Sequence, residues 1–197
     1  MSRSALGAAL GAGALLAAAQ PAAASTQIDA KHLNVRVGHR ASVAGHTTPA
    51  GAVALEVWRR RRWVTLDRAR AGAYGGYVLH ERLQRPQSVP ARVRAADGST
   101  RGLGRLNVYR EALASWYGPG LYGNHLACGG TLSPSRLGVA NKWLPCGSRV
   151  TLRVGRRTLR VPVIDRGPFV AGLEFDLTER TARRLRFRGP GPILVTR

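Results

Sequence analysis

The chain of 197 residues lacks a hydrophobic run long enough to cross a membrane. Its longest stretch of apolar and small residues, 5–19, is shorter than the ~20 residues that a transmembrane helix requires. A positively charged start, Met1-Ser-Arg, precedes this stretch, and an A-x-A pattern ends at Ala24. This order is typical of a secretory signal peptide, which we place at residues 1–24. We therefore expect a secreted protein, extracellular or associated with the cell wall.

Lysine and acidic residues are also scarce. Lys31 and Lys142 are the only lysines among 31 basic residues, Asp and Glu together number 10, and the formal net charge is +21. Such an excess attracts polyanions, for example nucleic acid, acidic membrane surfaces or anionic wall polymers. Because the arginines are spread along a secreted chain and do not form one basic block, we expect peptidoglycan or another anionic cell-wall polymer as the partner, and no nucleic acid.

Cysteine is rare as well, since Cys128 and Cys146 are the only two. A structural zinc site needs four ligands, and His125 is the only histidine near these residues, so zinc is excluded. In an oxidising compartment the two thiols are expected to form a disulfide. Closing this loop stabilises the fold by about 3 kcal/mol in the chain-entropy model. We predict no metal site and no cofactor.

In residues 25–110, no carboxylate pair, cysteine or Ser-His grouping stands out, so we expect a spacer or an adhesion unit there. Short runs, several of which alternate apolar with polar residues, are separated by clusters of Gly, Pro, Asp or Arg. A spacing near ten residues predicts an antiparallel β-sandwich. The predicted strands are 32–37, 41–45, 52–59, 62–69, 76–83 and 89–97. The pattern resembles the small immunoglobulin-like modules of secreted bacterial proteins.

Residues 111–197 are predicted to form a compact β domain with one short helix. The helix covers 179–185, and Asp176 or Thr178 is expected to be its N-cap. Strands are predicted at 149–154, 157–164 and 191–197. The fold class of the whole chain is therefore all-β.

Four motifs in this second half resemble the rare lipoprotein A family. They are ASWYG at 114–118, LPCG at 144–147, VIDRGPFV at 163–170 and DLT at 176–178. The resemblance implies a six-stranded double-psi β-barrel over residues 111–197, related to the barrels of expansins and barwin-like proteins. It also implies an activity, because active members of the family are lytic transglycosylases that act on peptidoglycan glycan strands.

Asp165, in an Asp-Arg-Gly-Pro corner, is the catalytic residue that the resemblance implies. Glycosidic cleavage needs a proton on the leaving oxygen. Two other groups of the family are absent, because Gly130 stands at the position of the family Glu and Asn141 at that of the family His. An Asp before Arg-Gly-Pro also commonly hydrogen-bonds its own turn, and Arg166 is a candidate ion-pair partner. Both roles of Asp165 stay open.

The predicted substrate-binding residues are mainly aromatic. Trp116, Tyr117 and Tyr122 offer flat rings that pack against the apolar side of a pyranose, although aromatic residues in Gly-rich turns also plug the ends of barrels. Asn141 and Arg166 complete the predicted substrate-binding set. A further aromatic residue, Trp143, is expected to pack against the disulfide.

Three functions are consistent with these features. The first is a secreted wall protein whose barrel binds peptidoglycan glycan strands and cleaves them as a lytic transglycosylase. The second is a non-catalytic, expansin-like module that binds glycans or loosens the wall. The third is a secreted interaction module of the protease-inhibitor kind. A monomer is expected in each case.

Overall fold

A computed structural model describes residues 24–197 of the chain. The predicted signal peptide therefore lies outside the described residues, apart from Ala24. Within residues 24–197 there is no helix with the length and apolar character needed to span a membrane. The described fold consists of β-strands and one short helix near the C-terminus.

Eight strands are involved in the N-terminal region. They are β1 (Ser25–His32), β2 (Asn34–Arg36), β3 (Arg40–Thr48), β4 (Ala52–Arg59), β5 (Arg62–Arg70), β6 (Gly76–Arg82), β7 (Gln87–Ala95) and β8 (Thr100–Tyr117). The first sheet has the order β1-β3-β6, and the second has β5-β4-β7-β8 with β2 parallel to β8. The predicted strand 52–59 coincides with β4.

Side chains from these two sheets share one hydrophobic core. Val43 and Leu79 from the first sheet and Leu55, Val57 and Val93 from the second are fully buried in it. Strict alternation along β3 sends every second side chain into this core, as a half-buried strand requires. The two layers agree with the predicted antiparallel strands, whereas the likeness to immunoglobulin modules stays a prediction.

Strand β8 runs through both halves of the molecule. Its first part pairs with β7 and β2, and its last residues, from Arg110 to Tyr117, pair with strands of the C-terminal half. The predicted boundary at residue 110 therefore falls inside a continuous strand and not in a linker. Across the same junction, Thr151 Oγ1 donates a hydrogen bond to Ser88 Oγ at 3.1 Å.

The C-terminal half is a closed barrel. Its further elements are β9 (Val139–Ala140), β10 (Arg149–Val154), β11 (Arg157–Asp165), β12 (Phe175–Thr178), α1 (Glu179–Leu185) and β13 (Gly191–Val195). The six strands follow the order β8-β13-β10-β11-β9-β12, and β12 pairs with β8 to close the circle. The pairs β12–β8 and β9–β11 are parallel, and the other four are antiparallel. This closure agrees with the predicted six-stranded barrel.

The start of α1 settles which residue caps it. Thr178 Oγ1 accepts the backbone N–H of Thr181 at 3.3 Å, as an N-cap does. Of the two residues predicted for this role, Thr178 is therefore the cap and Asp176 is not. Cys128 and Cys146 form the expected disulfide, with their Cα atoms 5.5 Å apart.

Candidate active site

Four neighbouring strands of the barrel bring small and acidic side chains into one row. In register lie Ser115 on β8, Asp176 on β12, Ala140 on β9 and Asp165 on β11. Because directly paired residues point to the same face of a sheet, the two aspartates flank the small side chain of Ala140. Their Cα atoms are separated by two strand spacings, roughly 10 Å. The row thus has one aspartate on each side of Ala140.

This row lies in a cleft of about 250 Å³. The Asp-Arg-Gly-Pro corner after β11 and Tyr117 at the end of β8 both line it. The rim is apolar and open to solvent, since Phe169 is 82% exposed and Val170 63% exposed, and Leu121 adds to it. The cleft combines acids on its floor with apolar surface at its mouth.

Asp165 is held by backbone groups and not by a cation. Its Oδ1 accepts the N–H groups of Ala127 and Arg166, each at 2.9 Å. The bond from Ala127 links the corner to the loop that contains the disulfide, and the bond from Arg166 is the local turn that the sequence predicts. These two contacts orient the carboxyl group and use only one of its oxygens.

Asp176 is the second acid of the cleft, and the sequence analysis missed this role. Burial raises the pKa of Asp176 and the negative charge of Asp165 raises it further, while a hydrogen bond from Ser115 Oγ at 2.9 Å acts in the opposite direction. The net effect is a pKa above the usual value of 3.8. A carboxyl group with a raised pKa beside a second carboxyl group is suited to acid–base chemistry.

Tyr117 contributes a hydroxyl group to the same cleft. Within the part of the chain that the structure describes, this buried hydroxyl has no partner at hydrogen-bond distance, although the carboxyl group of Asp165 lies close enough to act on it. Burial raises the pKa of Tyr117, and the charges of Asp165 and Asp176 raise it further. The phenol therefore stays protonated at neutral pH and is available as a donor.

The structure separates the three predicted aromatic residues. Only Tyr117 lines the cleft. Tyr122 packs beside Leu126 and donates its hydroxyl to Glu179 on α1. Trp116 is 42% exposed but does not line the cleft. Phe169, which the sequence analysis did not select, provides the exposed aromatic ring at the rim.

Asn141 and Arg166 are engaged inside the protein. Asn141 is buried, its Oδ1 accepts the N–H groups of Trp143 and Leu144, and its Nδ2 donates to the carbonyl of Glu174. Arg166 lines the cleft, but its Nη1 donates to the carbonyls of Asn141 and Leu144. Its expected ion pair with Asp165 is not formed. Both side chains thus shape the loop beside the cleft instead of pointing polar groups into it.

Trp143, Gly130 and Gly118 lie in the segments that connect β8, β9 and β10. Trp143 does not pack against the disulfide, because it is 86% exposed. Gly130, at the position of the family Glu, has a φ of +78°, a conformation that side chains other than glycine rarely adopt. Gly118 is also required, since a Cβ there would lie 2.7 Å from Glu179 Cβ. The backbone conformation at Gly130 and the limited space at Gly118 therefore both favour glycine at these positions.

The six-stranded closed barrel, with two parallel and four antiparallel pairings, agrees with the class of double-psi β-barrels. Comparison with known families agrees, since residues 110–196 match the family described as lytic transglycolase. The match and the relatives below support an RlpA-like family for the barrel, in agreement with the resemblance found in the motifs.

Individual relatives match the same half of the chain. The probable endolytic peptidoglycan transglycosylase RlpA of Synechocystis sp. is 38% identical over 85 residues, which cover 42% of this chain and 26% of that protein. The endolytic peptidoglycan transglycosylase RlpA of Campylobacter jejuni is 38% identical over 77 residues, which cover 38% of this chain and 28% of that protein. The chain thus spans about a quarter of the length of the curated relatives it matches.

Similarity to solved structures is weak. The BSP domain of a biofilm associated protein gives a TM-score of 0.29 at 9% identity, covering 77% of this chain and 28% of that one. A score this low carries no argument about the fold or the function of the N-terminal region.

Proposed function

We propose that this protein is a secreted wall protein whose barrel binds peptidoglycan glycan strands in the cleft and cleaves them as a lytic transglycosylase. The observation that supports this most is the pairing of Asp165 and Asp176 across Ala140. Asp176 has a raised pKa without an ion-pair partner in the described range, although the chain carries a net charge of +21. The relatives named as peptidoglycan transglycosylases indicate the substrate class.

The two acids suit the two proton transfers of this reaction. Asp176, which has the raised pKa, donates its proton to the glycosidic oxygen as the bond from C1 to that oxygen breaks. The C6 hydroxyl of the same sugar then forms a bond to C1, and its proton passes to Asp165. The product is a 1,6-anhydro sugar and no water is consumed. Asp176 thus replaces Asp165 as the proposed proton donor, and Asp165 becomes the base.

The walls of the cleft suit a sugar chain. Phe169 and Leu121 at the rim offer apolar surface to the C–H side of a pyranose. The Tyr117 hydroxyl, which lacks a partner in the described structure, is a donor for a sugar hydroxyl or for the leaving oxygen. Arginines on the surface attract the anionic wall and raise the local concentration of substrate.

The proposal is tested with purified peptidoglycan. The wild-type protein is incubated with insoluble wall material, and soluble products are examined by mass spectrometry for 1,6-anhydro muropeptides. Asp176→Asn and Asp165→Asn should each abolish their release. The matched control is Glu174→Gln, because Glu174 is an exposed acid two residues from Asp176 that binds Arg110 and does not line the cleft. This control should release wild-type amounts.

One observation favours a second function, binding without cleavage. Gly130 and Asn141 occupy the positions of the family Glu and His, so two groups of active relatives are absent. Retention on wall material at high salt without anhydro products would support an expansin-like binding module and contradict cleavage. A complete lack of retention at moderate salt would contradict both and favour the interaction module.

A further inference from the structure

The outer surface of the second N-terminal sheet carries arginines and tryptophans that the cleft does not use. On β4, Leu55 and Val57 point into the core, so Glu56 and Trp58 point outward. Adjacent strands add outward side chains in register with these positions. We define the arginine–tryptophan face by Glu56, Trp58, Trp63, Arg92, Arg94 and Arg105.

Glu56 fixes two of these arginines. Its side chain is 6% exposed and accepts hydrogen bonds from Nε of Arg92 and Nε of Arg94, each at 2.8 Å. Burial raises the pKa of Glu56, but the hydrogen bonds and charges of Arg94 and Arg92 outweigh it and leave the pKa below its usual value. The carboxylate is therefore charged at neutral pH and holds both guanidinium groups in defined positions.

Trp63 also restricts the position of the Arg92 side chain. The guanidinium of Arg92 lies 4.0 Å from the centre of the Trp63 ring, and the Trp58 ring meets Trp63 edge-on with 5.4 Å between centroids. A guanidinium placed over an indole and bound to a carboxylate has little rotamer freedom left to lose. The face is therefore preorganised, which lowers the entropy cost of binding a ligand.

Parts of the face remain open to a ligand. Among the described residues, Nη1 of Arg92 and the two Nη atoms of Arg94 have no hydrogen-bond partner. Trp58 is 40% exposed. Across from Arg92 on β8 lies Gly102, and a Cβ added there would meet no atom within 4 Å. The surface across from Arg92 is therefore open at Gly102, and we call this space the open strip.

The chemistry of the face selects an anionic sugar polymer. Guanidinium groups bind carboxylate and phosphate oxygens in paired geometry, and an exposed indole packs against the apolar side of a sugar ring. Arg68 lies in register with Arg94 on the other side of Ala54, which extends the positive charge across the sheet. Because Arg92 covers one face of the Trp63 ring, a nucleic-acid base cannot stack on that face.

We infer that the arginine–tryptophan face is a second binding site, separate from the cleft, for a sugar polymer that carries phosphate or carboxylate groups along its chain. The guanidinium edges of Arg92 and Arg94 would contact the anionic groups, and Trp58 would contact the sugar. This site does not depend on cleavage in the barrel.

The test measures binding of the full chain to labelled polymers by fluorescence anisotropy. The probes are phosphorylated dextran, oligogalacturonate, neutral dextran and a single-stranded oligonucleotide. Phosphorylated dextran or oligogalacturonate should bind at least tenfold more tightly than neutral dextran at moderate salt. The comparison of these two anionic probes distinguishes phosphate from carboxylate as the preferred group.

Variants locate the binding on the face. Trp58→Ala removes the exposed indole, and Gly102→Tyr fills the open strip, so each should weaken binding at least fivefold. Arg70 lies two residues after Arg68 on β5, so its side chain is on the same side of the sheet. The double variant Arg68→Gln/Arg70→Gln should also weaken binding at least fivefold, whereas the matched control Arg184→Gln/Arg188→Gln, with equal loss of charge on the barrel, should change it less than twofold. Asp176→Asn should bind normally.

Three results would overturn the inference. If the arginine control weakens binding as much as the double variant on β5, net charge alone explains it. If the oligonucleotide binds more tightly than both anionic glycans and depends on the same residues, the face is a nucleic-acid site. If no anionic glycan binds more tightly than neutral dextran, there is no such site. Circular dichroism identifies a misfolded Gly102→Tyr protein, in which case the double variants decide.

Discussion

Glu56 in the N-terminal region and Asp176 in the barrel cleft are both shielded from water, yet their surroundings differ. Glu56 binds two arginines, and its pKa lies below the usual value. Asp176 is affected mainly by burial and then by the charge of another acid, Asp165, and the pKa of Asp176 lies above the usual value. Burial alone raises the pKa of both groups, so the partners decide the sign of the shift.

The difference is informative because arginine is abundant in this chain, which has 31 basic residues and 10 acidic ones. An acid in such a protein readily finds a cation, whether it is buried, as Glu56 is, or exposed, as Glu174 is. Asp176 has no arginine partner among the described residues, and burial raises its pKa. Groups with perturbed pKa values in a cleft are candidates for function, whereas Glu56 is a structural anchor for the arginines around it.

The largest expected effect is a difference in cleavage activity between variants of Asp176 and of Glu56. Asp176→Asn should lower the rate of anhydro-muropeptide release at least ~100-fold, because general acid catalysis typically contributes this much or more. Glu56→Gln, an equivalent change outside the barrel, should leave the rate within twofold of wild type. Equal rates for wild type and Asp176→Asn would remove Asp176 from the mechanism.

The next effect concerns the loop closed by the disulfide, which contacts the barrel cleft and not the region of Glu56. Replacing Cys128 and Cys146 by Ser should lower the free energy of unfolding by about 3 kcal/mol. Because Ala127, next to Cys128, donates its N–H to Asp165, activity should fall as well, while binding at the arginine–tryptophan face should not. Chemical denaturation and the two functional assays check this. An unchanged unfolding free energy would contradict the assigned role of the disulfide.

Glu56→Gln should instead lower stability, by about 2 kcal/mol, because charged hydrogen bonds to Arg92 and Arg94 are lost. The pKa of Glu56 is lowered from 4.5 in the folded state, so its contribution is present above pH 4.5 and is lost as the pH falls through the folded-state value. Denaturation of wild type and variant at a series of pH values should therefore converge in acid. A difference that grows in acid would contradict the assignment.

Asp176 should show the opposite pH dependence in the same experiment. Its folded-state pKa is raised above 3.8, so its contribution to stability is present below pH 3.8 and is lost as the pH rises through the folded-state value. Asp176→Asn should therefore be at least as stable as wild type at neutral pH. A variant that is markedly less stable than wild type at neutral pH would indicate a structural acid like Glu56.

The smallest effect is expected for Tyr117→Phe. Loss of one hydrogen bond from its hydroxyl should reduce cleavage about fivefold, in line with about 1 kcal/mol for a neutral hydrogen bond. Tyr122→Phe is the matched control, because the Tyr122 hydroxyl binds Glu179 and does not line the cleft. A larger loss of cleavage in Tyr122→Phe than in Tyr117→Phe would show that the functional hydroxyl group lies outside the cleft.

The sequence predicts much of the fold because local patterns specify it. Alternation and flanking turns place β4 and β10 within a residue of their observed bounds, and a Thr followed by an acidic first turn places α1. The continuity of β8 is not predictable in this way. Gly102 and Gly104 interrupt its pattern, and only pairing with strands from both halves keeps the strand intact.

The candidate site is less predictable, because it depends on register. Asp165 is found through a motif, but the position of Asp176 opposite Ala140 follows from pairings between strands that lie far apart in the sequence. The same holds for Asn141, whose buried contacts with Glu174 and Leu144 are formed only in the folded barrel. A motif in the sequence identifies candidate residues, but only strand register in the closed barrel shows which of them lie close together.

The central claim, that two coupled acids share the cleft, is tested most directly by a titration of the Asp176 carboxyl group by carbon-13 NMR, in wild type and in Asp165→Asn. We expect the pKa of Asp176 to lie above 3.8 in wild type and to move downward when the charge of Asp165 is removed. A pKa at or below 3.8, unchanged by Asp165→Asn, would contradict the account.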